Sequence, residues 1–321
     1  MQYLKNYLNK IISRGNEKLA ESISKTAEDI GKDYISTFSF TSHEIGLLFG
    51  NVQSGKTGQM FGILSKAADL GFPVFLILTT DNVALQQQTI ERVNSDLEGF
   101  CICGEDDMGK FVENSLLDPA IIILKKNNRI LRKWANTLNT TGFMKGNPLF
   151  IIDDEADAAS LNTFINRRGN QQSSINKYLD SIKNGATSSL YLQVTGTPQA
   201  ILLQTLASGW HPYFTYYFQP GSSYLGGDFF FPSSQKPDCI TFLETVKEDT
   251  KEAVLRHIAV SAQVLASGGR VCNALIHPSV RQSAHSTYAK EVKKVLEWCK
   301  DFLCYHAYSV FISLSIQNVL Y

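Results

Sequence analysis

The chain has 321 residues, room for two domains at roughly one per 100 to 200 residues, and its 44% apolar content is that of a globular protein able to bury a sizeable core. Thirty Lys+Arg balance thirty Asp+Glu, which excludes capture of nucleic acid or an anionic membrane by bulk charge and requires any basic groove to be local. Six cysteines, at 101, 103, 239, 272, 299 and 304, include no Cys-x-x-Cys pair and are too sparse to staple a fold of this length, which points to a reducing, cytoplasmic setting.

Lys and Asn interrupt the N-terminal apolar positions of MQYLKNYLNKIISRGNEKLA, so the start does not read as a secretory signal. Residues 1–40 carry Leu, Ile and Tyr at helical spacing (Tyr3, Leu4, Leu8, Ile11, Ile12, then Leu19, Ile23, Ile30), separated by Gly15 and Gly31, and predict one or two amphipathic helices. From Ile45 the period changes. Short apolar runs at Ile45–Phe49, Val74–Leu78, Ile121–Leu124, Leu149–Ile152 and Leu190–Val194 alternate with helical candidates near Thr57–Leu70, Asn82–Leu97, Asn128–Leu138 and Ser174–Ile182. Continuously apolar strands interleaved with helices predict an α/β fold with a mostly parallel sheet covered on both faces. After Ser208 the alternation lapses into an aromatic and glycine-rich stretch read as an irregular or β-rich insert. A helix-like stretch (Phe242–Ala266), Gly268-Gly269, a strand-like Val271–Ile276 and a helix-like Ser286–Cys299 predict the opening of a partial second α/β domain. The last apolar run, Tyr308–Ile316, is shorter than the roughly 20 residues that cross a bilayer, so a soluble protein is expected.

Three stretches carry chemistry. Gly50–Thr57 reads GNVQSGKT, a fit to G-x-x-x-x-G-K-[ST] that a chain of this length shows by chance about once in a hundred times. It lies between a strand ending at Phe49 and a helix opening at Thr57, where the N–H groups of Gly50, Asn51, Val52, Gln53, Ser54 and Gly55 can converge on phosphate. Lys56 then reaches the β- and γ-phosphates of a nucleotide, ATP, and the Thr57 hydroxyl ligates Mg²⁺. A phosphate loop needs a carboxylate from a neighbouring strand, and PLFIIDDEADAAS supplies Asp153, Asp154, Glu155 and Asp157, charges that repel unless a cation gathers them. Either Asp153 or Asp154 can meet the metal. The third stretch is SLYLQVTGTPQA, a strand running into Thr195-Gly196-Thr197-Pro198, with the proline at the start of a helix. In LTTDNVALQQQTIERV, Thr79, Thr80 or Asn82 can face a phosphate backbone or simply cap a helix.

In that order, GNVQSGKT, IIDDEAD and TGTPQA resemble motifs I, II and III of superfamily 2 helicase-like P-loop ATPases, whose first RecA-like domain carries all three. The chain resembles more closely the bacterial "Z-one" endonuclease-domain family, through its V-Q-S-G-K-T loop, I-D-D-E-A-D strand end, Ile175-Asn176, T-x-T-P, a P-G-x-x-Y-x-G stretch (Pro220, Gly221, Tyr224, Gly226) and Ile276–Ser279. The resemblance spans roughly residues 45–295. Together with the hydrophobic pattern it divides the chain into an N-terminal helical segment (1–40), a RecA-like P-loop ATPase domain (41–208), the aromatic insert (209–252) and a partial second RecA-like domain (253–321). It implies Asp154 on Mg²⁺ through water, Glu155 orienting or deprotonating the attacking water, Lys56 and Glu155 as the catalytic pair, and Asp157, Thr195 and Thr197 coupling nucleotide to nucleic acid. It also implies a DNA-acting part in a restriction-like or phage-defence system.

The endonuclease name needs a metal site of its own. The nearest pattern, Pro237-Asp238 with Asp249-Thr250-Lys251, falls on VKEDTKEAVLRH, which reads as a charged helix face, so nuclease chemistry is not expected from this chain. Cys101-x-Cys103 reads as a buried strand rather than zinc, and His211, His257, His277 and His285 share no ligand spacing. Only Arg256, Arg270 and Arg281 follow residue 252, too early in a second domain to supply the late arginine of the motor family. A protein partner or a missing C-terminal half is therefore expected to cover the apolar end and provide it. Two other readings remain: a nucleotide-held assembly switch with little hydrolysis, and an ATP-dependent endonuclease subunit. A small-molecule P-loop kinase would leave the acidic run and T-G-T-P unexplained.

Overall fold

The apolar runs that alternate with helical stretches become neighbouring strands, and what lies on their two faces explains why they lack a polar side. The computed structural model describes residues 2–142, 144–160, 173–203, 209–222, 224–230, 246–276 and 282–306. The chain divides into two compact units, Met1–Phe231 and Pro232–Tyr321.

The first unit opens with α1 (Tyr3–Ser13) and α2 (Glu17–Ile30), joined through Gly15 at φ +76°. Gly31 does not end α2 as the sequence suggested. It keeps a helical backbone, and a wider turn over Gly31–Ile35 carries the helix on, closed by Ser36 N–H donating to the Gly31 carbonyl at 2.8 Å. The missing side chain makes room instead, since a Cβ on Gly31 would lie 2.7 Å from the Lys66 stem. Then come β1 (His43–Phe49), α3 (Lys56–Asp69), β2 (Val74–Thr79), α4 (Val83–Asp96), β3 (Cys101–Cys103), α5 (Met108–Asn114), β4 (Ala120–Lys125) and α6 (Asn128–Thr140). They are followed by β5 (Pro148–Asp154), α7 (Ala156–Ala159), α8 (Ser174–Gly185), β6 (Ser188–Thr195), α9 (Gln199–Leu202), β7 (Phe214–Tyr217) and α10 (Gly227–Phe230).

The seven strands form one sheet in the order β3-β4-β2-β5-β6-β1-β7, and every neighbouring pair is parallel. Alternate residues of one strand serve opposite cores. Phe75 and Ile77 of β2 join Tyr7, Ile23, Phe61 and Leu64 beneath α1, α2 and α3. Val74, Leu76 and Leu78 join Phe111, Trp134, Leu138 and Leu179 beneath α5, α6 and α8. With both faces covered, the strands are apolar throughout, as parallel sheets require. The stretch read as an irregular or β-rich insert supplies β7, which extends the sheet beside β1 with Gly46 opposite Phe214 and Phe49 opposite Tyr217. A Cβ on Gly46 would run into the Phe214 ring, which stacks on Tyr34 at 3.9 Å.

In the second unit the described residues form α11 (Val246–Ala266) and α12 (Gln282–His306). The strand expected over Val271–Ile276 is not formed: these residues are irregular and mostly exposed. Pro237, Asp238, His277, Arg281 and the run Tyr308–Ile316 lie outside the described residues. Among those described, no helix is long and apolar enough to cross a membrane.

Candidate active site

In an open parallel sheet, loops leaving the carboxyl ends of the strands line one edge, where ligands bind. Here β5, β6 and β1 stand side by side and end level, with Asp154 opposite Val194 and Phe49 opposite Thr195. At about 4.8 Å per strand, the loop after β1 and the acids of β5 lie about 10 Å apart with the β6 loop between them.

The loop after β1 turns on residues in unusual backbone states. Gln53 has φ +59° and Gly55, at the mouth of α3, has φ +94°. Ser54 N–H donates to the Asn51 carbonyl, and Gly58 and Gln59 N–H both return to the Gly55 carbonyl. Gly50 is held from both sides: its N–H donates to the Thr195 carbonyl, and a Cβ would strike the ring of buried Phe218. Lys56, the first residue of α3, places Nζ where a Cβ on Gly196 would meet it at 3.0 Å. The lysine therefore lies against the bare backbone of the β6 loop, where a side chain at 196 would press on its ammonium group. Thr57 follows in the first helical turn, half-buried.

A strap beyond β7 braces this loop. The Tyr224 hydroxyl donates to the Val52 carbonyl at 2.7 Å, the Tyr217 hydroxyl reaches Asn51 Oδ1 at 3.4 Å, and the Gln219 carbonyl accepts from Ser22 of α2 at 2.8 Å. Tyr224 belongs to the P-G-x-x-Y-x-G stretch, whose place in the fold the sequence did not give.

The two adjacent aspartates of β5 have different fates. Asp153 is fully buried, and both of its oxygens are taken: Oδ1 by Lys126 Nζ at 3.0 Å, Oδ2 by the Tyr191 hydroxyl at 2.7 Å. Asp154, at the end of the strand, accepts from the Glu155 N–H at 3.1 Å. Burial pushes its carboxyl up to about 6, Glu155 adding to the rise and Lys126 and Lys56 opposing it. Glu155 itself has φ +50°, a strained state for a residue with a side chain, and turns the chain into α7. Asp157 then receives hydrogen bonds from both Thr195 (2.6 Å) and Thr197, while Thr197 N–H donates to Thr195 Oγ1 at 2.9 Å. Burial alone would raise the Asp157 carboxyl, but these two hydroxyls hold it below the usual range. Among the predicted residues, the structure thus brings Gly50–Thr57, Asp154, Glu155, Asp157, Thr195 and Thr197 to one edge.

Other candidates resolve differently. Asn82 caps α4, its Oδ1 accepting from Leu85 N–H at 3.2 Å, and Thr79 is buried. Pro198 sits at the cap of α9, one position before its first residue. Cys101 and Cys103 form β3 with their sulfurs 3.9 Å apart, and among the described residues no three His, Cys, Asp or Glu side chains gather to hold a metal ion by themselves. Arg256 is paired at 2.7 Å with Glu252 one turn back on α11. Asn176, half of the Ile175-Asn176 landmark, is buried in α8 and donates to the Ser160 carbonyl at 3.1 Å. Lys126 went unnoticed, since a lysine just past an apolar strand ordinarily reads as solvated.

No family model matches the chain, and no curated protein matches it. Among solved structures it is similar to the Hef helicase domain of Pyrococcus furiosus, with a TM-score of 0.39 and 14% identity, over 88% of this chain and 53% of that one. The chain thus spans about half the length of that structure.

Proposed function

We propose that residues 1–231 are an ATP-binding and ATP-hydrolysing core of helicase type whose turnover is coupled to nucleic acid, DNA in the first place. One observation carries the reading: the GNVQSGKT loop, Asp154-Glu155 and the Asp157–Thr195–Thr197 cluster meet at the carboxyl ends of three adjacent parallel strands. The loop and the first turn of α3 offer N–H groups and a helix N-terminus to phosphate, with Lys56 as the charge beside them. Thr57 and Asp154 fit a magnesium ion, because Asp154 is a buried carboxyl crowded by Glu155 and so gains from a neighbouring cation. Bound there, Mg²⁺ would neutralise the β- and γ-phosphate oxygens. Glu155 is placed one residue further on to orient or deprotonate the attacking water. Asp157 joins the acidic strand end to the loop over which Lys56 lies, so a shift at the phosphates pulls directly on Thr195 and Thr197.

The motif order and the later landmarks support a role in a restriction-like or phage-defence system, with a partner or further RecA-like domain contributing the late arginine. ATP turnover by the purified chain, measured with and without DNA and with Lys56→Ala as control, tests the reading. DNA-stimulated turnover that vanishes in the control is expected. Tight ATP binding without turnover would favour the assembly switch. A thermal shift on ATP addition that persists in Lys56→Ala would remove the phosphate-loop reading altogether.

A further inference from the structure

Lys126 is the charged group of this site to which no motif assigns a part. It follows β4, its N–H extends the ladder to the Thr79 carbonyl at 2.9 Å, and Asn127 then caps α6. The side chain runs over the end of β2 to the end of β5, where it is fully shielded from solvent. An ammonium group has three donors, and here all three have acceptors: Asp153 Oδ1 at 3.0 Å, the Asp154 carbonyl at 2.7 Å and the Glu155 carbonyl at 2.8 Å.

We propose that Lys126 is a positioning residue that selects which of two adjacent aspartates is offered to the cation and holds the backbone that aims Glu155. The inference rests on the nucleotide reading above and deepens it. Successive strand residues point to opposite faces of the sheet, which separates the Asp153 and Asp154 side chains. With one oxygen of Asp153 on Lys126 and the other on Tyr191, that carboxylate is closed to a cation, and Asp154 is left to meet it. The other two bonds act on the main chain. They clamp the carbonyls on either side of the left-handed turn at Glu155, the turn that reverses the chain and returns Asp157 to Thr195 and Thr197. A lysine that merely neutralised Asp153 could place its two remaining donors on any acceptors, whereas here both go to the carbonyls that flank the turn at Glu155.

That distinction sets the test. Lys126→Met alone would leave Asp153 buried without a counter-charge, so the informative variant is Lys126→Met with Asp153→Asn, which removes both charges together. ATP binding by calorimetry without Mg²⁺ is expected to stay within threefold of the parent. The Mg²⁺ concentration for half-maximal tightening of ATP binding should rise at least tenfold, and kcat at saturating Mg²⁺ should fall at least tenfold. Lys126→Arg keeps the charge but spreads its donors over a planar fork, and should shift both readouts the same way by a smaller factor; it decides the matter if the double variant does not fold. Parental Mg²⁺ dependence and kcat in the folded double variant, or in Lys126→Arg, would overturn the proposal and leave the nucleotide reading intact. A parent chain with no ATP-dependent signal would overturn both.

Discussion

Glu155 and Asp154 are neighbours in the chain, but removing their charges should show in different measurements, turnover for the one and ligand-free stability for the other. Glu155→Gln keeps the shape of the turn and removes the carboxylate next to the attacking water, so ATP should still bind while turnover falls by two orders of magnitude or more, measurable by filter binding beside a phosphate-release assay. Asp154→Asn should stabilise the ligand-free fold. Its folded carboxyl sits at about 6 against 3.8 for the free group, so the folded state holds the proton more tightly and the ionised form costs stability. The cost is fully present above pH 6 and is relieved as pH falls through 6 toward 4. The melting temperature of Asp154→Asn should therefore exceed that of the parent by the equivalent of about 1–3 kcal/mol at pH 7.5, with the gap closing by pH 4.5. Added ATP and Mg²⁺ should reverse the ranking, since only the parent gains from the cation. The pattern of acids was plain in the sequence, whereas the partner that separates their roles was not. Asp153 on β5 and Lys126 just past β4 are 27 residues apart, with β2 between the two strands, and no local pattern marks such a meeting.

At the scale of elements, α3 owes its position to two glycines on one face. Gly58 and Gly62 lie one turn apart beneath Ile23 of α2; a Cβ on Gly58 would meet Ile23 Cδ1 at 3.0 Å, and one on Gly62 would run into Ile23 Cγ2. Tyr7 of α1 donates to the Gly58 carbonyl at 3.3 Å, so both N-terminal helices bear on the helix that begins with Lys56. Gly62→Ala should cost about 1–3 kcal/mol by overpacking, and Ile23→Ala in the same chain should recover part of it. A double-mutant cycle in urea measures that coupling. The five long strands were legible because burial on both faces leaves a continuous apolar run, and α1 and α2 because their apolar residues recur at helical spacing. The short β3 was read as a strand from Cys101-x-Cys103, whereas the four residues of β7 are too few to show a period and their aromatics left the stretch open between irregular and β-rich. Val271–Ile276 is the opposite case, an apolar run that is irregular in the structure.

Across the whole first unit, the sheet order separates neighbours in space from neighbours in sequence. β1 lies between β6 and β7: His43 and Ser189 are 146 residues apart and joined by a 2.9 Å hydrogen bond, and the Tyr224 brace closes over 172 residues. Contacts this remote are paid for in loop-closure entropy before they return anything, and they slow folding. On dilution from denaturant, helix signal by circular dichroism should recover first and ATP binding last. MgATP at a hundredfold excess over its dissociation constant should add about 2.7 kcal/mol to the refolded state by mass action. A fluorescent nucleotide followed by stopped flow would show whether its binding phase lags the helical one, and equal rates would mean that the loop forms without its flanking strands. During synthesis the same geometry acts as a timer. The strand that leads into the GNVQSGKT loop leaves the ribosome well over a hundred residues before either of its sheet neighbours, so a nascent chain carries the loop before the strands that flank it exist.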